Sequence, residues 1–150
     1  MTRSERLKPV AALKQREQLN CARLLSQSLQ QVQTHEQRLQ ELIHYRNDYQ
    51  ARFNEMAVTG TSIERIRHYQ HFIAKLDQSI AFQSQRLENS KRQLEDSKKN
   101  WQKARARSQA FENVVQRYRA EEVQSREQRR QKESDDLAQR SRRAHDAENR

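Results

Sequence analysis

An all-α fold is predicted for this chain: a long two-helix antiparallel coiled-coil hairpin with its turn near Gly60 and its second helix overhanging the first. Three observations predict it. Counting in sevens from Ile66 gives Ile66, Ile73, Ile80, Leu87, Leu94, Trp101, Ser108 and Val115, and the fourth residue of each heptad gives Tyr69, Leu76, Gln83, Ser90, Ser97, Ala104, Phe111 and Tyr118. A seven-residue repeat sustained this far keeps one narrow stripe in line along a helix, and the stripe needs a partner helix to cover it. Gly, Pro, Cys and Trp occur once each and 33% of the residues are charged, so little opposes helix and too little is apolar for a layered core. Finally, the one glycine lies in an uncharged stretch, residues 56–62, between two strongly polar helical segments. A short loop there makes the two helices antiparallel neighbours.

The first helix is expected over about residues 4–57. Its stripe runs through Leu25, Leu29, Val32, Leu39, Ile43 and Phe53, with Glu36, Arg46 and Gln50 on the same line. The turn follows at about 58–61, and Thr61 with Glu64 fits a capping box that starts the second helix near Ser62. A turn centred on Gly60 places Leu25 opposite Leu94 and Leu39 opposite the Ile80 turn, and lets the first helix cover the second to about residue 115. Beyond Tyr118 the next eighteen or so residues offer Val123 as the only large apolar side chain, which predicts a frayed or disordered end after about residue 143. At 1.5 Å per residue, helices of this kind make a thin rod on the order of 90 Å long, with both termini at one end. All 150 residues then form one coiled-coil domain.

A formal net charge of +10 points to an acidic partner, whether protein surface, nucleic acid or anionic lipid. The single cysteine, Cys21, excludes an intramolecular disulfide and reads as a small residue near the seam. The first nine positions carry charges and no apolar run, and the longest apolar run nearby, residues 10–13, is too short for a secretory signal. No run of apolar residues is long enough to span a bilayer, so the expected location is the cytoplasm.

Catalysis is not expected, because there is no phosphate loop, no nucleophile elbow and no concave scaffold to hold an acid against a base. His68 and His71 lie three apart and His44 falls near them, but no carboxylate completes a ligand set, so neither metal nor cofactor is expected. Specific nucleic-acid binding is not expected either. The chain has no basic region leading into a zipper, no zinc-finger spacing and no stacking sheet motif.

Two surfaces remain as candidates. Leu42, Tyr45 and Tyr49 are spaced three and four apart beside the first stripe, and pairing brings Phe72 and Leu76 across from them. Two helices cannot bury both stripes, so these five side chains are expected to form an exposed aromatic-aliphatic patch for a partner, unless the seam drifts and absorbs them. The second surface is basic. Lys98, Lys99, Lys103, Arg105 and Arg107 surround Trp101 with no intervening acid, and the hairpin brings them beside Arg3, Arg6, Lys8, Lys14 and Arg16.

Leu24-Leu25, the run Leu-Ile-His-Tyr-Arg-Asn-Asp-Tyr at 42–49, the run Tyr-Gln-His-Phe-Ile-Ala-Lys-Leu at 69–76 and Trp101 in its basic setting together resemble the FliJ-type flagellar export proteins. The resemblance implies a cytoplasmic hairpin of the type III export apparatus at the flagellar base, peripheral to the inner membrane through its partners. It implies a stalk-like, non-enzymatic protein with three partners: the hexameric export ATPase, the cytoplasmic domain of the membrane export gate, and export chaperones. By the same resemblance the Leu42, Tyr45, Tyr49, Phe72 and Leu76 patch would meet the gate. The ATPase would receive the basic end: Arg3, Arg6, Lys8, Lys14, Arg16, Lys98, Lys99, Trp101, Lys103, Arg105 and Arg107. Arg38 and Ser79 depart from the amide or small residues common on that flank, and the tail after Arg119 carries no role by resemblance. The alternatives are the equivalent stalk protein of a virulence-type secretion system, a basic nucleic-acid-binding coiled coil, and a homotypic structural coiled coil.

Overall fold

A computed structural model describes residues 1–150, and it contains two helices, α1 (Arg3–Thr59) and α2 (Ile63–Glu148). Thr2 caps α1. Its hydroxyl accepts from the Glu5 N–H at 3.3 Å while Glu5 Oε2 accepts from the Thr2 N–H at 3.1 Å, a reciprocal capping box. Glu5 also sits where the α1 dipole favours an anion, and the Thr2 N–H holds its carboxyl below the usual carboxylate range. Pro9 lies inside α1 and has no N–H to return to the Glu5 carbonyl.

The turn is resolved by two complementary caps. Gly60 takes a left-handed φ of 87° and donates its N–H to the Met56 carbonyl at 3.0 Å, ending α1 in the conformation glycine adopts most easily. Ser62, and not Thr61, caps α2: its hydroxyl accepts from the Arg65 N–H at 3.3 Å. The expected Thr61–Glu64 box therefore does not form, because α2 begins one residue later and puts Arg65 at the capped amide. Ser4 contacts Glu122, well past the residue 115 expected.

The chain divides into two compact units, Met1–Gln18 with Ala104–Arg150, and Leu19–Lys103. Within each, α1 and α2 pack antiparallel along a single seam. On α2 every heptad position predicted from Ile66 to Tyr118 is buried or half-buried. On α1 a covered stripe steps by three and four from Ser4 to Met56, and in the second unit it is Cys21, Leu25, Ser28, Val32, His35, Leu39, Leu42, Arg46, Tyr49, Phe53 and Met56, with Ala22 and Gln50 half-buried beside it.

This corrects the predicted α1 stripe at alternate positions. Leu25, Val32, Leu39, Arg46 and Phe53 hold and Gln50 is also half-buried, but the seam takes Ser28, His35 and Leu42 where Leu29, Glu36 and Ile43 were expected, and adds Tyr49 beside Gln50. Leu29 and Ile43 remain 43% and 40% exposed. The partner helix explains the choice, since Ser28 bonds Ser97 across the seam at 2.9 Å and His35 bonds Gln83 at 2.9 Å. Polar matches set the frame where apolar size alone points one residue on.

In the first unit Val115 is the most deeply covered side chain, at 2% exposure. The seam closes at Ser4 and Glu122, and every residue after Glu122 is exposed. Even so, α2 continues to Glu148 instead of fraying near residue 143, because no Gly or Pro interrupts it and pairs such as Arg130 with Glu127 at 3.0 Å lie on its surface.

Candidate functional site

Of the five residues expected in the aromatic patch, only Tyr45 stands clear of the seam, at 58% exposure. Leu42, Tyr49, Phe72 and Leu76 are half-buried between the helices. The expectation of a wholly exposed patch fails for these four because Leu42 and Tyr49 are themselves α1 seam positions. Tyr49 is the hub. Its ring centroid lies 4.5 Å from that of Phe72 and 5.9 Å from that of Tyr69, both tilted, in the range where aromatic pairs add to simple area burial. The Arg52 guanidinium covers the Tyr49 ring at 5.7 Å, and Arg46 Nε donates to Asp77 Oδ1 at 2.9 Å beside the cluster. The result is a rigid aromatic step between the helices with one exposed phenol, Tyr45, projecting beyond it.

The basic candidates fall in both units. In the first, Arg6, Lys8, Arg16, Arg105 and Arg107 are exposed. Arg3 lies with its guanidinium 5.6 Å over the Tyr118 ring, and Lys14 is half-buried at a seam position, its ammonium 3.7 Å from Glu17. The Lys14 stem thus packs along the seam while its head reaches water. In the second unit Lys98, Lys99 and Lys103 are exposed, whereas Trp101 fills a seam position. Trp101 is a knob between helices before it is a surface feature.

A contact that the sequence reading missed closes the first unit. Glu122 accepts from the Ser4 N–H at 3.0 Å through Oε1 and from the Ser4 hydroxyl at 2.6 Å through Oε2, with the Ser4 side chain buried. The Ser4 hydroxyl and then its N–H hold the Glu122 carboxyl below the usual range, and the position at the α1 N-terminus favours the negative charge further. The Thr2-Arg-Ser-Glu5 string was a legible capping signal; the Glu122 contact, far away in sequence, had none.

His44 lies 3.4 Å from Asp48, and His68 stands edge-on to Tyr69. No group of three or more His, Cys, Asp or Glu side chains is placed to hold a metal ion, and no helix is long and apolar enough to cross a membrane.

A family model described as Flagellar FliJ protein matches residues 3–146, which include both helices and the residues of the aromatic step. The chain belongs to the FliJ family. The Flagellar FliJ protein of Escherichia coli (strain K12) is 28% identical over 129 residues, which cover 86% of this chain and 88% of that protein. That of Salmonella typhi is 28% identical over 135 residues, covering 90% and 92%. The matched residues 3–146 take in both helices and the turn.

Proposed function

We infer that this chain is a non-enzymatic component of the flagellar type III export apparatus, working at the cytoplasmic base of the flagellum. It couples the export ATPase ring to the cytoplasmic domain of the export gate and handles the chaperones that deliver substrates. The observation that carries this reading is the FliJ family match across residues 3–146, which leaves almost none of the hairpin unaccounted for. Two features agree with it. The exposed cations of each unit suit an acidic partner, and a two-helix protein with a distinct aromatic surface can link two machines through contacts alone.

In this reading the ATPase performs the hydrolysis and the stalk-like hairpin meets it through the basic residues, Arg3 to Arg16 and Lys98 to Arg107. Tyr45 and the Tyr49–Phe72 step, flanked by Leu42 and Leu76, meet the gate. Association with the inner membrane follows from these partners. The test mixes the purified chain with the flagellar export ATPase and nucleotide and follows hydrolysis and ring assembly at physiological salt. Stimulation with hexamer formation supports the stalk role, and no interaction refutes it. Tyr45→Ala with Tyr49→Ala should weaken gate binding while ATPase stimulation persists; an unchanged gate affinity removes the aromatic surface from the reading.

A further inference from the structure

In the second unit the seam positions His35, Gln83 and Ser90 are polar, and the long side chains beside them do not close over the helices. They leave an open groove of about 610 Å³. One wall carries Gln27, Gln31 and Arg38 from α1, the other Arg86, Asn89 and Gln93 from α2, and no acidic or aliphatic side chain lines it. The Gln83 amide donates to His35 Nδ1 and to the His35 carbonyl, at 2.9 and 3.3 Å, so that part of the seam is already satisfied. The walls are not. Gln27, Gln31 and Gln93 make no side-chain hydrogen bond within the chain, Arg38 has no acidic partner, and the Arg86 guanidinium lies 5.2 Å over the Phe82 ring.

We propose that this groove binds an extended peptide segment bearing carboxylates at one end. A glutamine side chain offers both donor and acceptor, which is what each peptide group of an extended strand requires. The spacing agrees. Residues four apart on a helix rise about 6 Å, close to the roughly 6.6 Å between alternate residues of a strand, so Gln27 and Gln31 on one wall and Asn89 and Gln93 on the other can each serve one side of the same strand.

From Gln27 to Arg38 the wall is roughly 16 Å long, room for about five extended residues. The groove also has a direction. Arg38 is the last lining residue of α1 and Arg86 the first of α2, and in an antiparallel pair these fall at the same end. Two guanidinium groups at one end of the groove favour carboxylate, and the Phe82 stack restrains one of them in advance. An apolar helix finds nothing to bury in this groove. A nucleic-acid strand meets only two cations in this groove, and no Phe, Tyr or Trp side chain lines it. The net charge of +10 draws an acidic segment toward the chain as a whole.

The test uses the full chain and fluorescence anisotropy at physiological salt, with fluorescein-labelled Ser-Thr-Ser-Glu-Glu as probe and Ser-Thr-Ser-Gln-Gln as its neutral counterpart. Saturable binding of the acidic peptide is expected, weaker by about tenfold or more for the neutral one and for the Arg38→Gln, Arg86→Gln double variant. Gln31→Leu with Gln93→Leu should weaken it severalfold with both arginines in place. All four substitutions lie on exposed positions, and circular dichroism checks that the hairpin is unchanged. Absence of saturable binding at millimolar peptide, or equal binding by the double arginine variant, overturns the proposal. So does tighter binding of a single-stranded oligonucleotide that the same double variant abolishes. Neither export partner enters the assay, so its outcome is separate from that of the stalk reading.

Discussion

Val115 and Val123 lie about two turns apart on one helix, yet one is enclosed by the seam and the other is past its end. Val115 is 2% exposed and Val123 is 61% exposed. Truncating Val115 to alanine removes two buried carbons at about 0.8 kcal/mol each, and incomplete collapse of the surrounding side chains adds about 1 kcal/mol. Alanine returns about 0.5 kcal/mol through its better helix propensity. The net expectation for Val115→Ala is a loss of about 2 kcal/mol. For Val123→Ala only the propensity survives, so the change should be neutral or stabilising by up to about 0.5 kcal/mol. Urea unfolding followed by circular dichroism at 222 nm measures both, with the slopes compared to ensure that the midpoints reflect stability. Two substitutions of the same kind should thus move the midpoint in different directions. Equal losses, or a larger loss at Val123, would refute the seam boundary drawn at Glu122.

Three further outcomes are expected. Gln83→Leu leaves His35 unpaired in the seam and should cost roughly 1–2 kcal/mol, while adding His35→Leu removes both polar partners and should recover most of it, as thermal melts of the single and double variants would show. Gly60→Ala meets no atom within 4 Å, so its cost should be that of the left-handed backbone alone, about 1 kcal/mol, and smaller for Gly60→Asn in the same melts. Glu122 and Glu5 have lowered carboxyl pKa values, so the stability they contribute is fully present above the usual carboxylate range and is lost as pH falls through their lower folded values. The Ser4 amide chemical shift should report that acid transition by NMR and should lose it in Glu122→Gln; an unchanged titration would refute the assignment to Glu122.

The α2 frame was fully legible because its large residues, Ile73, Ile80, Leu87, Leu94 and Val115, keep the seven-residue count without competitors. On α1 apolar size competes with position. Leu29 and Ile43 are bigger or equal rivals to Ser28 and Leu42, and only the partner helix, with Ser97 and Gln83 awaiting Ser28 and His35, decides between them. The one-residue difference then changes the candidate site: Leu42 and Tyr49 move into the seam and Tyr45 is left outside. Local signals fared unevenly. The Gly60 cap was readable because glycine suits its φ best, whereas Thr61 and Ser62 are both capping residues and the chain geometry chose Ser62. The Ser4–Glu122 contact depended on a register that no single segment encodes.

The bare stretch of α2 from Val123 onward bears on how the protein absorbs heat. With no seam to enforce cooperation, this stretch is a single helix near its own helix–coil balance and should melt gradually. A calorimetric scan should show a sloping pretransition ahead of the main peak, with a total enthalpy exceeding the van't Hoff value of that peak. A protein that gripped this stretch would also have to complete its ordering. Part of the measured association enthalpy would then be folding enthalpy, and affinity would weaken on warming before the paired helices begin to separate.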